Sequence, residues 1–182
     1  MPLAAAVAGP VTTSPYQILL GEDFASLDAG VRRGHLTPLA AEGTLDVHHG
    51  TEWLTPLMVR LLKLPAAGRG QRVRLDVTPI GADVEWTRRI GSSMLRTRQR
   101  AVGSRLVEHH GIGCVAFALE VEDGALLYRQ VSMHVAGIAV PSMVRPRVSA
   151  RVSQAGEGWR VEVAVTWRGR LVCRYAGVLR AA

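Results

Sequence analysis

Side chains that can move protons recur in strand-like runs in the second half of the chain. Glu108 is followed directly by His109 and His110, and Tyr128 and His134 come in a later run. A carboxylic acid or an imidazole in an apolar cavity has a shifted pKa and can transfer protons near neutral pH. Adjacent strand residues face opposite ways, so one histidine of the pair can point inward. The pattern predicts a catalytic cluster of Glu108, His110, Tyr128 and His134, with His109 as the alternative to His110.

Trp86 and Arg88 form the clearest ligand-binding pattern. They lie two residues apart in a strand-like run, so both should point to the interior face together with Ile90. An aromatic ring beside a guanidinium offers a flat apolar wall and a forked donor, which suits an unsaturated ligand with a carbonyl or carboxylate end. A buried arginine must otherwise be paired. The alternative is therefore an ion pair of Arg88 with Glu108 or Asp76, and Trp86 as plain core.

Further residues are predicted to contact the ligand. Thr97 and Gln99 share one face of a strand-like run, and Phe117 is the aromatic residue of a later run. Met143 lies in the apolar, proline-containing segment 137–146, which is either a lid over a cavity or a packed crossover. The predicted ligand-binding set is Trp86, Arg88, Thr97, Gln99, Phe117 and Met143.

The net charge of +7 and the pI near 10.6 raise the question of nucleic-acid binding. All basic residues except Lys63 are arginine, a bias typical of a GC-rich genome. Arg96, Arg98 and Arg100 share a strand face without interleaved aromatic residues, and binding of single strands relies on such aromatics. We interpret these three arginines as a solvated face and expect no nucleic-acid partner.

The histidine pairs His48–His49 and His109–His110 do not predict a metal site. Each pair can offer one inward ligand, and neither an H-E-x-x-H run nor a facial triad occurs. The chain also lacks a dinucleotide-binding fingerprint and a phosphate-cradling loop. We therefore expect no metal and no cofactor.

Hydrophobic and polar residues alternate from Gln71 to about residue 180, with glycine-containing turns between the runs. This pattern predicts nine or ten strands, and connections this short require antiparallel pairing. An open sheet of that size would expose its edges. We therefore expect a curled sheet or β-barrel, with a sandwich as the alternative.

Helices are predicted before this β region. Ser14 and Pro15 mark the start of two short helices that end near Gly34, and a longer helix should run from Thr51 to residue 64. These helices are expected to cover one side of the sheet. The predicted class is α+β, mainly antiparallel β, with a flexible arm at residues 1–14 and a single barrel-like domain at 15–182.

The hydropathy pattern also bears on location. No stretch reaches the roughly 20 apolar residues of a membrane-spanning helix. The first apolar run is broken by Gly9 and Pro10 and lacks a basic region before it, unlike a signal peptide. We expect a cytoplasmic protein without a membrane span, and the sequence leaves its oligomeric state open.

Several short motifs are similar to those of a bacterial family. They are Trp86-x-Arg88-x-Ile90-Gly91, Glu108-x-x-Gly111, the Gly137-x-x-x-Pro141 turn followed by Pro146, and Arg174-Tyr175-x-Gly177. From about Tyr16 to Leu179 the chain resembles the family named domain of unknown function 4166, in which Phe is more usual at position 90 and Trp is frequent at position 178. The family has no assigned catalytic residues, so the resemblance implies none. Its members are often fused to saccharopine-dehydrogenase-like reductases, which implies a reductase as partner.

A barrel with an apolar lining, a few inward polar groups and no nucleotide or metal motif predicts a small-molecule-binding protein. The first hypothesis is a cofactor-independent cyclase or isomerase that encloses an apolar, oxygenated, polyketide-like metabolite of specialised metabolism. The alternative is a non-catalytic module that binds a lipid or metabolite for a partner reductase. The expected partners are an apolar ligand and a reductase or another biosynthetic enzyme.

Overall fold

The computed structural model describes residues 13–182. Most of the predicted arm at residues 1–14 lies outside the described residues. Ser14 is described, and it is the N-cap of the first helix. Its hydroxyl accepts a hydrogen bond from the Gln17 N–H, and the Gln17 side chain accepts one from the Ser14 N–H. This reciprocal capping box is a strong helix start.

Short helices fill the connections before the second strand. They are α1 (Pro15–Leu20), a 3-10 helix (Gly21–Ser26), α2 (Ala29–Arg33) and α3 (Thr55–Leu61). The predicted helix start at Thr51 is wrong, because α3 begins only after Leu54. Proline is tolerated in the first helical turn but not further in, so Pro56 allows a helix from Thr55 and disfavours one from Thr51.

Strands make up most of the remaining chain. They are β1 (Leu39–His49), β2 (Gly68–Ile80), β3 (Asp83–Ile90), β4 (Ser93–Val102), β5 (Arg105–His110), β6 (Gly113–Glu122), β7 (Ala125–Val135), β8 (Ile138–Ala139), β9 (Arg147–Ala155), β10 (Gly158–Trp167) and β11 (Arg170–Ala181).

Ten of these strands form a closed antiparallel barrel. Their order is β6-β5-β4-β3-β2-β1-β11-β10-β9-β7, and β7 pairs back to β6. The two-residue strand β8 is an addition to β7. The predicted barrel is therefore confirmed, and the sandwich alternative is wrong. The class also needs correction: the molecule is mainly β rather than α+β, because its helices have seven residues or fewer and strands make up most of the described chain.

The first and the last strand of the barrel, β1 and β11, pair with each other. Glycines allow these strands to approach closely. A Cβ atom on Gly43 would lie 2.0 Å from the Val178 carbonyl oxygen, and one on Gly177 would lie 1.9 Å from the Thr44 carbonyl oxygen. Any larger residue at these positions would push the strands apart.

The two ends of the barrel are built differently. One end carries the connection 50–67 with α3, the turns 91–92, 111–112 and 168–169, and the segment 136–146; we name it the α3 end. The opposite end carries the hairpin turns 81–82, 103–104, 123–124 and 156–157. The N-terminal helices contact this opposite end. The Asp28 N–H donates to the Gly124 carbonyl oxygen over 2.9 Å, and the Gly30 N–H donates to the Gln154 side chain over 2.7 Å.

Candidate functional site

A cavity of about 770 Å³ occupies the interior of the barrel. All ten barrel strands contribute to its wall, and most of the lining side chains are apolar. At the α3 end it is lined by Leu61, Ile112 and Val140, and it extends towards His35 at the other end. Its volume lies within the range of about 300–1,000 Å³ that is typical of small-molecule pockets.

Arg88 is the charged centre of this cavity. Its Nη1 atom donates to the Thr97 hydroxyl over 3.0 Å and to the Glu108 carboxylate over 3.2 Å. The guanidinium carbon lies 4.9 Å from the centre of the Trp86 ring, within the range of a cation–π interaction. Trp86 and Arg88 thus lie side by side on the cavity wall, and Arg88 is also half of an ion pair. Its partner is Glu108 and not Asp76.

The ion pair is largely shielded from solvent, with 20% of the Arg88 side chain and 19% of the Glu108 side chain exposed. Burial is the largest single effect and acts to lower the pKa of Arg88, but Glu108, Tyr175 and Tyr16 together outweigh it, and the pKa lies above its ordinary value. The guanidinium therefore stays charged. Within residues 13–182 only Nη1 of Arg88 has hydrogen-bond partners, so the other N–H groups are available to a ligand.

Two ring nitrogens on the cavity wall are buried without a hydrogen-bond partner in the described part of the chain: Nε1 of Trp86 and Nε2 of His110. The other ring nitrogen of His110, Nδ1, lies 3.1 Å from the Arg96 carbonyl oxygen. A carbonyl oxygen only accepts, so Nδ1 carries a proton, and Nε2 is an acceptor when the ring has a single proton. The wall therefore offers an indole donor and, in that form of His110, an imidazole acceptor.

A chain of hydrogen bonds connects α1 to the cavity wall. The Tyr16 hydroxyl donates to Oε1 of Gln99 over 2.7 Å. The Tyr128 hydroxyl lies 3.2 Å from the Tyr16 hydroxyl and 2.9 Å from Nε2 of His35. Nδ1 of His35 donates to the Val31 carbonyl oxygen over 2.7 Å, which leaves Nε2 of the neutral ring as an acceptor. Tyr128 has one hydroxyl proton, so it donates either to Nε2 of His35 or to the Tyr16 oxygen, because the proton of Tyr16 is directed to Gln99.

This chain of hydrogen bonds is uncharged at neutral pH. Burial lowers the pKa of His35 to about 4. Burial also raises the pKa of Tyr16 and that of Tyr128 well above the usual value for tyrosine. Because charged forms are disfavoured throughout, the chain fixes the N-terminal helices against the barrel rather than carrying charge.

Tyr175 is a cavity residue that the sequence reasoning did not single out. It lines the cavity, and burial raises its pKa to about 12 although Arg88 acts in the opposite direction. The hydroxyl is thus a protonated group at neutral pH. The available signal was the motif Arg174-Tyr175-x-Gly177. Tyr16 and His35 were missed as well, because strand alternation gives no information on helices that pack against distant strands.

Most of the predicted site residues lie together. The cavity wall includes Trp86, Arg88, Thr97, Gln99, Glu108, His110, Phe117 and Tyr128. His109 is exposed, so His110 is the inward member of that pair. Met143 does not line the cavity: its side chain is 82% exposed on the segment 136–146. From the same segment, Val140 and Pro146 contribute to the wall.

His134 does not point into the cavity, because β7 contains a bulge. The pairing of β7 with β6 skips Val131. One extra residue inverts the alternation of inward and outward side chains. Tyr128 before the bulge lines the cavity, and Met133 and Val135 line it after the bulge, whereas His134 faces away.

Arg96, Arg98 and Arg100 lie on the outer face of β4 and are exposed, as predicted. Each contacts a carboxylate of β3. Arg96 and Arg98 pair with Glu85, and Arg100 pairs with Asp83. These cross-strand pairs neutralise part of the basic surface.

Among residues 13–182, no group of three or more His, Cys, Asp or Glu side chains is arranged to hold a metal ion. His49 has a structural contact instead, since its Nε2 lies 2.8 Å from the Pro65 carbonyl oxygen. None of the helices in the described chain combines the length and the apolar character that crossing a membrane requires.

Comparison with known proteins gives a family but no function. A crystal structure of a secretory abundant heat soluble (SAHS) protein from Ramazzottius varieornatus is similar with a TM-score of 0.45 and 9% identity, over 80% of this chain and 95% of that chain. At that similarity it carries no functional argument. No curated protein matches the chain. The model of the family described as "Domain of unknown function (DUF4166)" matches residues 30–179, and the chain therefore belongs to this family.

Proposed function

We propose that this protein binds an apolar small molecule with an oxygenated end, and that this end lies against Arg88. The observation that carries the proposal is a charged guanidinium inside a mostly apolar cavity of about 770 Å³. Such a cavity favours a ligand with apolar surface for the walls and one carbonyl or anionic group for the arginine.

An ion pair alone does not account for the cavity. Burying two charges costs desolvation, and well-packed apolar residues often give equal or greater stability. The Arg88–Glu108 pair borders open cavity space instead of packed side chains. A ligand carbonyl or carboxylate would accept from the free N–H groups of Arg88, and its unsaturated body would pack on Trp86.

We further propose that the ligand enters at the α3 end and that the N-terminal helices close the opposite end. Leu61 and Ile112 support the entrance, because each lines the cavity and is strongly exposed. At the opposite end, Tyr16 is fully buried and bonded to Gln99, which fixes α1 against the strands.

A matched pair of fluorescent probes tests the role of Arg88. Anilinonaphthalene sulfonate and phenylnaphthylamine share an aromatic body, and only the first is anionic. The double variant Arg88→Met/Glu108→Gln removes both charges and leaves no unpaired carboxylate. In a fluorescence titration it should weaken sulfonate binding by about 1.5–3 kcal/mol, roughly ten- to hundredfold, because a charge-assisted hydrogen bond is lost. Phenylnaphthylamine binding should change by less than about threefold.

The control for this titration is Glu85→Gln/Arg98→Gln, which removes a similar ion pair from the outer face. It should leave the affinity for both probes unchanged. Equal losses for the two probes in the Arg88 variant, or no loss for the sulfonate, would remove Arg88 from the binding site.

A second candidate is a cofactor-independent cyclase or isomerase acting on an apolar, oxygenated, polyketide-like substrate. The observation that favours it is His110, whose unpartnered Nε2 is an acceptor two residues from Glu108. In such a reaction a base removes the proton from a carbon beside a carbonyl, and a donor stabilises the enolate oxygen. His110 or Glu108 would be the base, Arg88 or Tyr175 the donor, and return of the proton to another carbon would complete an isomerisation.

Deuterium exchange into beta-tetralone, an apolar ketone with acidic C–H groups, tests this second candidate. The wild type in deuterated buffer should exchange these hydrogens faster than buffer alone, as followed by NMR. The variant Glu108→Gln/His110→Gln should lose about a hundredfold of that rate, whereas the outward His134→Gln should lose none. If exchange occurs at the buffer rate, only ligand binding remains as the proposed function. Binding without catalysis is also what an accessory module for a reductase requires.

A further inference from the structure

The α3 end of the barrel carries a concentrated apolar surface. The large hydrophobic side chains that are more than 70% exposed in the described chain all lie at this end: Trp53, Leu61, Ile112, Ile138 and Met143. They come from three separate connections around the cavity opening, and we name them the apolar rim. Exposed apolar patches of this kind mark sites of contact with a membrane or a partner.

The helix α3 is apolar on both faces. Met58 and Leu62 are half-buried and line the cavity, whereas Leu57 is exposed away from it and Leu61 is exposed at its edge. A helix that is hydrophobic all round is normally surrounded by apolar material. Here the barrel covers only one face, so the other face requires a second apolar environment.

Charge differs between the two ends of the barrel. The connections at the α3 end contain four basic residues, Arg60, Lys63, Arg145 and Arg168, and a single acidic one, Glu52. The hairpin turns of the opposite end and the segment 14–38 contain the reverse: the acidic Glu22, Asp23, Asp28, Asp123 and Glu157 and the basic Arg32 and Arg33. The apolar rim is therefore surrounded by net positive charge.

We propose that the α3 end docks on a bilayer that contains anionic phospholipid, with the apolar rim among the acyl chains and the exposed Arg60, Lys63 and Arg168 at the headgroups. Insertion of apolar side chains, attraction of Lys and Arg to anionic lipid, and a tryptophan at the interface act together in such docking. The charge excess favours this occupant over a protein partner, for which an apolar rim alone would suffice. The cavity opening would then face the membrane, and an apolar ligand would pass from the membrane into the cavity without crossing water. This ligand transfer rests on the proposed ligand binding.

Vesicle flotation tests the docking. The protein should float with vesicles of phosphatidylcholine and phosphatidylglycerol, much less with phosphatidylcholine alone, and less as salt is raised. Each basic residue near an anionic surface contributes about fivefold to partitioning, so Arg60→Gln/Arg168→Gln, which leaves the cavity-lining Lys63 in place, should reduce it about 25-fold. The variant Trp53→Ser/Leu57→Ser/Met143→Ser should reduce binding to a similar degree, and none of these three residues lines the cavity.

Matched controls come from the opposite end. One control variant replaces exposed apolar residues there, Ile80→Ser/Val102→Ser. The other replaces exposed basic residues, Arg32→Gln/Arg33→Gln. Neither variant should change flotation. If the wild type does not float with anionic vesicles, the proposal is overturned and a protein partner is indicated. If the control variants lose as much flotation as the variants of the α3 end, the proposed orientation of the barrel on the membrane is overturned. Titration with anilinonaphthalene sulfonate in the absence of vesicles separates the two proposals. A protein that floats but binds no probe contradicts ligand binding and leaves docking intact.

Discussion

Arg88 combines a structural contact with a group that is free for a ligand. Its Nη1 atom contacts Glu108 over 3.2 Å, while the rest of the guanidinium faces the cavity. When one partner of a buried pair is removed, the other is left as an uncompensated charge. This usually lowers the free energy of unfolding by about 3–5 kcal/mol. Stability and binding therefore respond differently to single and double replacement.

The single variant Arg88→Met should lower the free energy of unfolding by about 3 kcal/mol, at the lower end of the usual range because part of the pair remains exposed. Adding Glu108→Gln should restore more than half of this loss, since the stranded carboxylate is then gone. Urea unfolding at neutral pH measures both. If the single variant is as stable as the wild type, the pair does not form as described.

His35 predicts a specific pH dependence of stability. Its pKa is about 4 in the folded protein, below the value of 6.5 for free histidine, because burial disfavours the charged ring. Between these two values the unfolded chain binds more protons than the folded one, so stability rises with pH. The contribution of neutral His35 is complete above pH 6.5 and falls away as the pH drops towards 4.

From pH 7 to pH 5 this effect should remove about 2 kcal/mol of unfolding free energy. The variant His35→Gln cannot titrate and should show a pH slope smaller by that amount, whatever its stability at neutral pH. Urea unfolding of both proteins at the two pH values gives the comparison. Equal slopes would mean that His35 is charged or exposed in the folded protein.

At the scale of elements, the alternation of side chains along a strand predicts well which of them point into the barrel, as long as the strand contains no bulge. Trp86 and Arg88 share a face as expected, because β3 pairs regularly with both neighbours. His134 was predicted to join Tyr128 in the site, and regular alternation from Tyr128 would place it inside, but the unpaired Val131 reverses the alternation. A bulge depends on how two strands fit together, so the pattern within one strand does not reveal it.

The bulge predicts different effects for neighbouring residues. Met133→Ala should weaken phenylnaphthylamine binding several-fold, because a side chain of the cavity wall is lost. His134→Ala should leave the affinity within about twofold, as an outer-face substitution. Fluorescence titration of the two variants decides this. A larger effect from His134 would show that the register of β7 differs from the one described.

Contacts between distant parts of the chain were also beyond sequence reasoning. Tyr16 and Gln99, which are hydrogen-bonded, lie 83 positions apart. The closing pair β1–β11 joins the two ends of the barrel region and depends on Gly43 and Gly177, which a strand pattern would count as weak positions. Short hairpins could be predicted because their partners follow directly in sequence.

At the scale of the whole molecule, the barrel is asymmetric along its axis. Most of the acidic residues that lie in the connections are found at one end, in the short hairpins and in the N-terminal segment with its helices. The other end combines α3, exposed apolar side chains and basic residues around the cavity opening. This arrangement agrees with the proposal that an apolar ligand enters from one direction and lies with its polar end against Arg88.

The most direct test of this account is a crystal structure of the protein with anilinonaphthalene sulfonate. We predict density for the aromatic body inside the barrel against Trp86, with the sulfonate within hydrogen-bond distance of Arg88. A probe bound only on the outside of the barrel, or bound inside with its sulfonate directed away from Arg88 towards the α3 end, would contradict the account.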